Sequence, residues 1–208
     1  MGIAQGSLFI ISAPSGTGKT SLVTALCSKL KNIKKSISHT TRAMRPGEQD
    51  GVHYNFVSMQ QFEQELAQHV FLEHAQVFGN YYGTSQQLVT QTLSTGTDLI
   101  LEIDWQGAQQ IRAKMPDVVS IFILPPGPDA LRQRLTTRNQ DQEHNIQLRL
   151  NEAKIEVGHY TEYDYLVIND DFETALQQLL AIVIAARQRV SHQQQLWQDL
   201  LDKFNKTA

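Results

Sequence analysis

Gly16, Gly18, Lys19 and Thr20 fall close together in the run Ala13-Pro14-Ser15-Gly16-Thr17-Gly18-Lys19-Thr20. Glycines let a loop turn its backbone N–H groups inward into a nest for an anion. The lysine adds a mobile positive charge, and the threonine hydroxyl is a hard oxygen ligand of the kind Mg²⁺ takes. Such a loop holds phosphates only if a strand delivers it and a helix begins where it ends. Leu8-Phe9-Ile10-Ile11 supplies the apolar strand, and Leu22, Val23, Ala25, Leu26 and Leu30 then recur at helical spacing. The helix N-terminus adds roughly half a positive charge at the same mouth. The run therefore reads as a P-loop, with Lys19 directed to β- and γ-phosphates and Thr20 to Mg²⁺. Ala13 stands where the motif usually begins with glycine, which brings a positive φ there into question. The competing reading is a small-residue turn between a strand and a helix.

Two further groups could do chemistry. Arg42 and Arg45 lie three residues apart beside Ser38, Thr40 and Thr41, and Arg132, Arg134, Arg138 and Arg149 form a second basic group. Arginines in a loop are often only solvated, but a second cluster weakens that reading. The apolar strand Asp98-Leu99-Ile100-Leu101-Glu102-Ile103-Asp104 ends in carboxylates. In a P-loop fold the neighbouring strand delivers a carboxylate to the metal region at its C-terminal end. Glu102 suits that role, whereas Asp104 equally suits a helix cap.

The elements that must position these groups follow from periodicity. Core strands are expected at Leu8–Ile11, about Asp98–Asp104, Val118–Leu124 and Tyr163–Ile168, with a short one at Lys34–Ser38. Helices are expected after the loop, after Ser58, over Ser85–Ser94 with Leu88 and Leu93 inward, over Trp105–Lys114, and from Phe172 to about Val190. The nearly all-apolar strands alternating with helices imply a parallel sheet covered on both faces. Two insertions break the rhythm. Residues 38–94 alternate like a small mixed sheet, with strands at Val52–Val57 and Phe71–Phe78 and a break at Gly79-Asn80. Residues 126–161 are rich in arginine and poor in apolar partners, which reads as a mobile helical lid over phosphates or as an exposed salt-bridged helix pair. The fold class is α/β: a P-loop three-layer core (1–37, 95–125, 162–208), a mixed α/β insertion and a lid. The tail carries Leu196, Trp197, Leu200, Leu201 and Phe204 on one helical face, expected to pack or to contact a second copy.

Composition sets outer bounds. At 208 residues, 41% hydrophobic and 19% charged, the chain suits one globular domain with lobes. A net charge of −3 argues against nucleic-acid binding by bulk electrostatics, so phosphate affinity must be local. No run approaches the roughly 18 to 20 apolar residues of a spanning helix, and the N-terminus does not read as a secretory signal. The single Cys27 lies on the apolar side of the first helix and reads as core rather than nucleophile. A reducing, cytoplasmic setting is expected.

The P-loop run, Ser38-x-x-Thr-Thr-Arg42-x-x-Arg45-x-Gly, Gly51-x-x-Tyr54-x-Phe, Asn80-Tyr-Tyr-Gly-Thr84, Glu102-Ile-Asp104-Trp-Gln-Gly and Arg134-x-x-x-Arg138 occur in this order. Together they closely resemble the guanylate kinase family, from Ser7 to about Asp171. The resemblance implies transfer of the γ-phosphate of ATP to GMP with Mg²⁺. It assigns the ATP phosphates to the P-loop, the GMP phosphate to Arg42, Arg45, Tyr54 and Tyr82, and the guanine to Ser38, Glu73, Thr84 and Asp104. It places Asn169 near the adenine, Glu102 at Mg²⁺, and Lys19, Arg42, Arg134, Arg138 and Arg149 around the transferred phosphoryl group. Glu102 occupies a position more often held by Asp, His39 one where a small hydroxyl residue is common, and Asn139 one where Gly is common. His39 is a candidate for tuning GMP affinity. Two other readings compete with this one: a guanylate-kinase-like phosphopeptide-binding module, and a related ribose-phosphate kinase. The intact Gly18-Lys19-Thr20 favours an enzyme, and Ser38 with Glu73 favours a nucleotide acceptor.

Overall fold

The computed structural model describes residues 5–138 and 143–207, without the side chains at 137–138, 143–146 and 206–207. Its core is a five-stranded parallel sheet in the order β2 (Ile33–Lys35), β7 (Asp98–Glu102), β1 (Leu8–Ser12), β8 (Val119–Leu124), β9 (Tyr165–Ile168). All five residues of β1 are buried because both sheet faces are covered. Phe9 and Ile11 face α1 (Lys19–Lys29) and α7 (Phe172–Arg187), in a cluster with Leu22, Leu26, Leu176 and Leu179. Leu8 and Ile10 face the other way, toward Val89 and Leu93 of α3 (Gln86–Ser94) and Ile111 of α4 (Trp105–Lys114). These two clusters are the apolar interiors of the three layers expected from the sequence.

The alternation of the edge strand does not follow the expected cover. In β9 only Val167 is buried, while Leu166 and Ile168 are exposed. Within α3 the buried pair is Val89 and Leu93; Leu88, expected inward, is only half-buried. The helix beginning at Phe172 ends at Arg187, short of the expected Val190, and α8 (Val190–Thr207) follows. Trp197 interrupts α8 with non-helical φ/ψ of −114°/20°. On the apolar face of α8, Trp197, Leu200, Leu201 and Phe204 are exposed.

Between the second and seventh strands the chain builds a separate four-stranded sheet. Its order is β4 (Asn55–Phe56), β3 (His39–Thr40), β6 (Asn80–Ser85), β5 (Phe71–Val77). β3 pairs parallel with β4 and antiparallel with β6, so the sheet is mixed, as the alternation implied. The strand expected over Val52–Val57 shrinks to two residues because Gly51 and Tyr54 close a turn there. Ser58 caps α2 (Met59–Ala67) by accepting from the Gln61 N–H at 3.1 Å, which sets Phe62 into the sheet against Phe71 and Tyr81.

α5 (Pro128–Arg138) and α6 (Glu143–Val157) form the helical pair after β8. The few apolar partners expected here do pack: Leu131, Leu135 and Ala153 are buried together. Leu135 also stands against Gly16, where a Cβ would meet its side chain. The base of α6 is fixed from the other side, where His159 stacks on Trp105 at 3.7 Å and 6°. Among the described residues no helix is long and apolar enough to cross a membrane.

Candidate functional site

The C-terminal ends of β1 and β7 meet at the position where β7 inserts between β1 and β2, the usual ligand crevice of an open α/β sheet. The P-loop leaves β1 here. Gly16 and Gly18 take φ of 87° and 92°, which an L side chain adopts only with strain. Ala13 is not among the positive-φ residues, so the motif's first glycine is dispensable in this chain. Thr17 is buried and folds the loop inward, donating both its N–H and its hydroxyl to the Pro14 carbonyl at 3.2 and 2.6 Å. Gly18 provides the N-cap of α1 without a side-chain cap, and the first turn carries no acidic residue. The N–H groups there are left for an anion.

Residues distant in sequence support the loop. Asn169, 5% exposed at the end of β9, donates its amide to the Thr17 carbonyl at 2.6 Å. Arg134 donates to the Asn169 carbonyl at 2.9 Å and to that of Thr17 at 3.4 Å. Neither side chain lines the cleft, and Arg149 on α6 does not line it either. Arg138 ends α5, and its side chain, like Asn139, lies outside the described residues. The parallel register sets Glu102 beside Ile11, and Thr20 donates to Glu102 Oε2 at 3.1 Å. A hydroxyl and a carboxylate oxygen so placed suit a hard cation completed by water and phosphate. Among the described residues no group of three or more His, Cys, Asp or Glu could form a self-sufficient metal cage.

Across the cleft the insertion presents a second polar pocket. Glu73 is 2% exposed and lies opposite Thr84, whose hydroxyl donates to Glu73 Oε1 at 2.5 Å. Ser38 Oγ is 3.4 Å from the same hydroxyl. Burial pushes the Glu73 carboxyl up to about 7; the Thr84 hydrogen bond opposes the shift and the Asp104 charge adds to it. Asp104 does cap α4, accepting the Gly107 N–H at 3.0 Å, and it also lines the cleft. The helix-cap reading of that carboxylate therefore holds, and the same side chain faces the cleft. Gly107 has a steric reason to be glycine, because a Cβ there would collide with Glu73 Oε2.

Arg42, Arg45, Tyr54 and Tyr82 all line the mouth of this pocket. Arg42 lies over the Tyr54 ring at 5.4 Å, and Tyr54 meets Tyr82 edge-on at 6.0 Å. Glu48, a residue the sequence motifs do not single out, organises the arginines. It accepts from Arg42 Nη2 at 2.7 Å and from the Arg45 N–H at 2.8 Å. The Arg42 hydrogen bond holds the Glu48 carboxyl below its ordinary range. Its position three residues after Arg45 in a turn was the available signal. His39 turns away from the pocket, edge-on to Phe71 at 5.5 Å, and does not line the cleft. Its ring packs the insertion, and a role in tuning GMP affinity finds no contact to support it. Cys27 is half-buried against the core, and burial raises its thiol, as expected of a packing residue.

A phosphate nest and a second anion pocket that share one cleft allow a phosphoryl group to pass between two bound substrates, which places the molecule among P-loop kinases. Residues 5–186 match the sequence model of the family described as guanylate kinase. The chain is 56% identical over 199 residues to a guanylate kinase of Saccharophagus degradans, covering 96% of this chain and 97% of that one. It is 59% identical over 192 residues to a guanylate kinase of Hahella chejuensis, covering 92% of each. The crystal structure of guanylate kinase from Anaplasma phagocytophilum superposes with a TM-score of 0.77 at 34% identity, over 91% of this chain and 90% of that one. The chain belongs to the guanylate kinase family.

Proposed function

We propose that this cleft is where the chain, an ATP:GMP phosphotransferase, moves the γ-phosphate of ATP to GMP, giving ADP and GDP. The observation that carries the reading is the buried Glu73–Thr84–Ser38 set facing the P-loop across one cleft. A guanine offers N–H donors at N1 and N2, and one carboxylate accepts both; adenine offers an acceptor at N1 and has no 2-amino group. A buried acceptor left unmatched by the wrong base discriminates strongly.

The remaining residues take roles consistent with their positions. Ala13 to Thr20 cradle the ATP phosphates, with Lys19 on the β- and γ-groups. Arg42 and Arg45 fork onto the GMP phosphate with Tyr54 and Tyr82 as phenol donors, and Glu48 holds the forks in place. Asp104 completes the guanine pocket. Asn169 and Arg134 support the loop that the adenine nucleotide occupies. Arg138 and Arg149 neutralise charge as α5 and α6 close over both substrates, which also excludes water. Core, insertion (38–94) and lid (126–161) move as units in that closure. Thr20 and Glu102 would hold Mg²⁺, and the bound ion would withdraw charge from the phosphate oxygens. The half-buried Cys27 suits the cytoplasmic setting expected from the sequence.

The test is a binding titration of Glu73→Gln. An amide cannot accept both guanine N–H groups, so GMP should weaken at least about tenfold while ATP stays within about twofold. Equal losses for both nucleotides would contradict the assignment.

A further inference from the structure

Five acids line the cleft among the described residues, and four are engaged. Glu48 holds Arg42, Glu73 accepts from Thr84, Glu102 accepts from Thr20, and Asp104 caps α4. The fifth, Glu156, comes from α6, and its Oε2 is buried with no hydrogen-bond partner. A buried acceptor in that condition costs stability, so its surroundings are informative. The opposite charge acting on it is Lys19 of the P-loop, while Asp104 and Glu152 add like charge. Burial, the largest influence, pushes the carboxyl up to about 7. Glu156 lies seven residues after Arg149, two turns along one face of α6. It is also three residues before His159, whose stack on Trp105 and bond to Glu162 at 2.6 Å anchor the base of the helix. α6 therefore brings the carboxylate into the cleft that Lys19 also lines.

We infer that Glu156 is a built-in countercharge to Lys19 that makes the affinity for a triphosphate depend on the cation bound with it. The inference rests on the assignment of the P-loop to the ATP phosphates. A bare triphosphate competes with Glu156 for the Lys19 ammonium and is repelled by the carboxylate. A divalent cation on the phosphates cancels part of that repulsion. Glu156 thus selects the cation-bound form of the substrate, the form that can react, over the cation-free form that would occupy the site unproductively.

The experiment is calorimetric titration at pH 8, where the carboxyl is ionised, of wild type, Glu156→Gln and Glu152→Gln. The ligands are ATP with chelator, ATP with excess Mg²⁺, and inorganic tripolyphosphate. Glu156→Gln should tighten chelated ATP and tripolyphosphate by roughly three- to tenfold and ATP with Mg²⁺ by less than about twofold. Glu152→Gln, an exposed acid on the same helix, should change each by less than about twofold. Weaker ATP with unchanged tripolyphosphate would overturn the inference and make Glu156 an acceptor for the nucleoside. Equal tightening by both variants would overturn it in favour of bulk charge, and no change in any titration would overturn it outright. Failure of wild type to bind tripolyphosphate or ATP at all would instead sink the P-loop assignment, so the two failures are distinguishable.

Discussion

Glu73 works against the stability of the empty protein. Its folded-state value of about 7 lies above the ordinary 4.5, chiefly through burial. The sign follows from linkage: the stability associated with the protonated form is fully present below about 4.5 and is lost as pH rises through about 7. Nucleotide-free wild type should therefore lose roughly 2–3 kcal/mol between pH 5 and pH 8 that Glu73→Gln does not lose. Thermal unfolding of both proteins across that range checks this, and parallel curves would contradict it. On the proposed assignment GMP would reverse the preference, because two guanine N–H donors would stabilise the charged carboxylate. GMP affinity should accordingly rise more steeply from pH 6 to pH 8 in wild type than in Glu73→Gln. The GMP phosphate titrates in both proteins, so only the difference between them reports on residue 73.

At the scale of the element, α4 is shaped by the site as much as by the core. Its N-cap Asp104 lines the cleft, and its third residue, Gly107, leaves room for Glu73. Glycine inside a helix costs about 1 kcal/mol relative to alanine, yet alanine here would strike a buried carboxylate. Gly107→Ala should weaken GMP by at least about tenfold, leave ATP within about twofold, and keep the helical circular dichroism. Unchanged GMP affinity would show that Glu73 has space to retreat. The motif containing Gly107 was legible in the sequence, but the reason for the glycine was not, because it lies in a contact between residues 34 positions apart. The same limit separates what periodicity shows from what it hides. Long amphipathic segments such as Trp105–Lys114 and the strand at Asp98 emerge from pattern alone. The two-residue strand at His39 does not, since two residues carry no period and exist only through pairing with β4 and β6, and the strand at Asn55 was expected longer than it is. The packing of α5 against α6 was hard to read for a related reason: Leu131, Leu135 and Ala153 are few, but all three fall on one interface.

Across the whole molecule, an acidic chain of net charge −3 sets Lys19, Arg42, Arg45 and helix-terminal N–H groups into one cleft that, among the described residues, five acids also line, so any anion affinity there is local. The central sheet makes that concentration possible. β1 delivers the P-loop, β7 beside it delivers Glu102, and β9 at the edge ends in the Asn169 that braces the loop. The insertion sheet brings Glu73 and Thr84 toward the same opening. Strand-end logic located Glu102 from sequence because parallel strands in such a sheet end together. The bracing by Asn169 and Arg134 was not legible, because those side chains bond to backbone carbonyls that no residue pattern announces. A separate consequence of the whole arrangement is that Lys19→Ala should lower turnover by orders of magnitude with the fold intact, since phosphoryl transfer relies on positioned charge.

The central claim is that one cleft joins a triphosphate nest to a pocket that reads guanine. Its most direct test is a coupled assay of ADP formation from ATP and Mg²⁺, with GMP, AMP, UMP and ribose phosphates offered in turn as acceptor, and with Lys19→Ala as the background. The account predicts strong turnover with GMP and turnover near the Lys19→Ala background with every other acceptor. Comparable turnover with AMP or a ribose phosphate, or none with GMP from protein that still binds it, would contradict it.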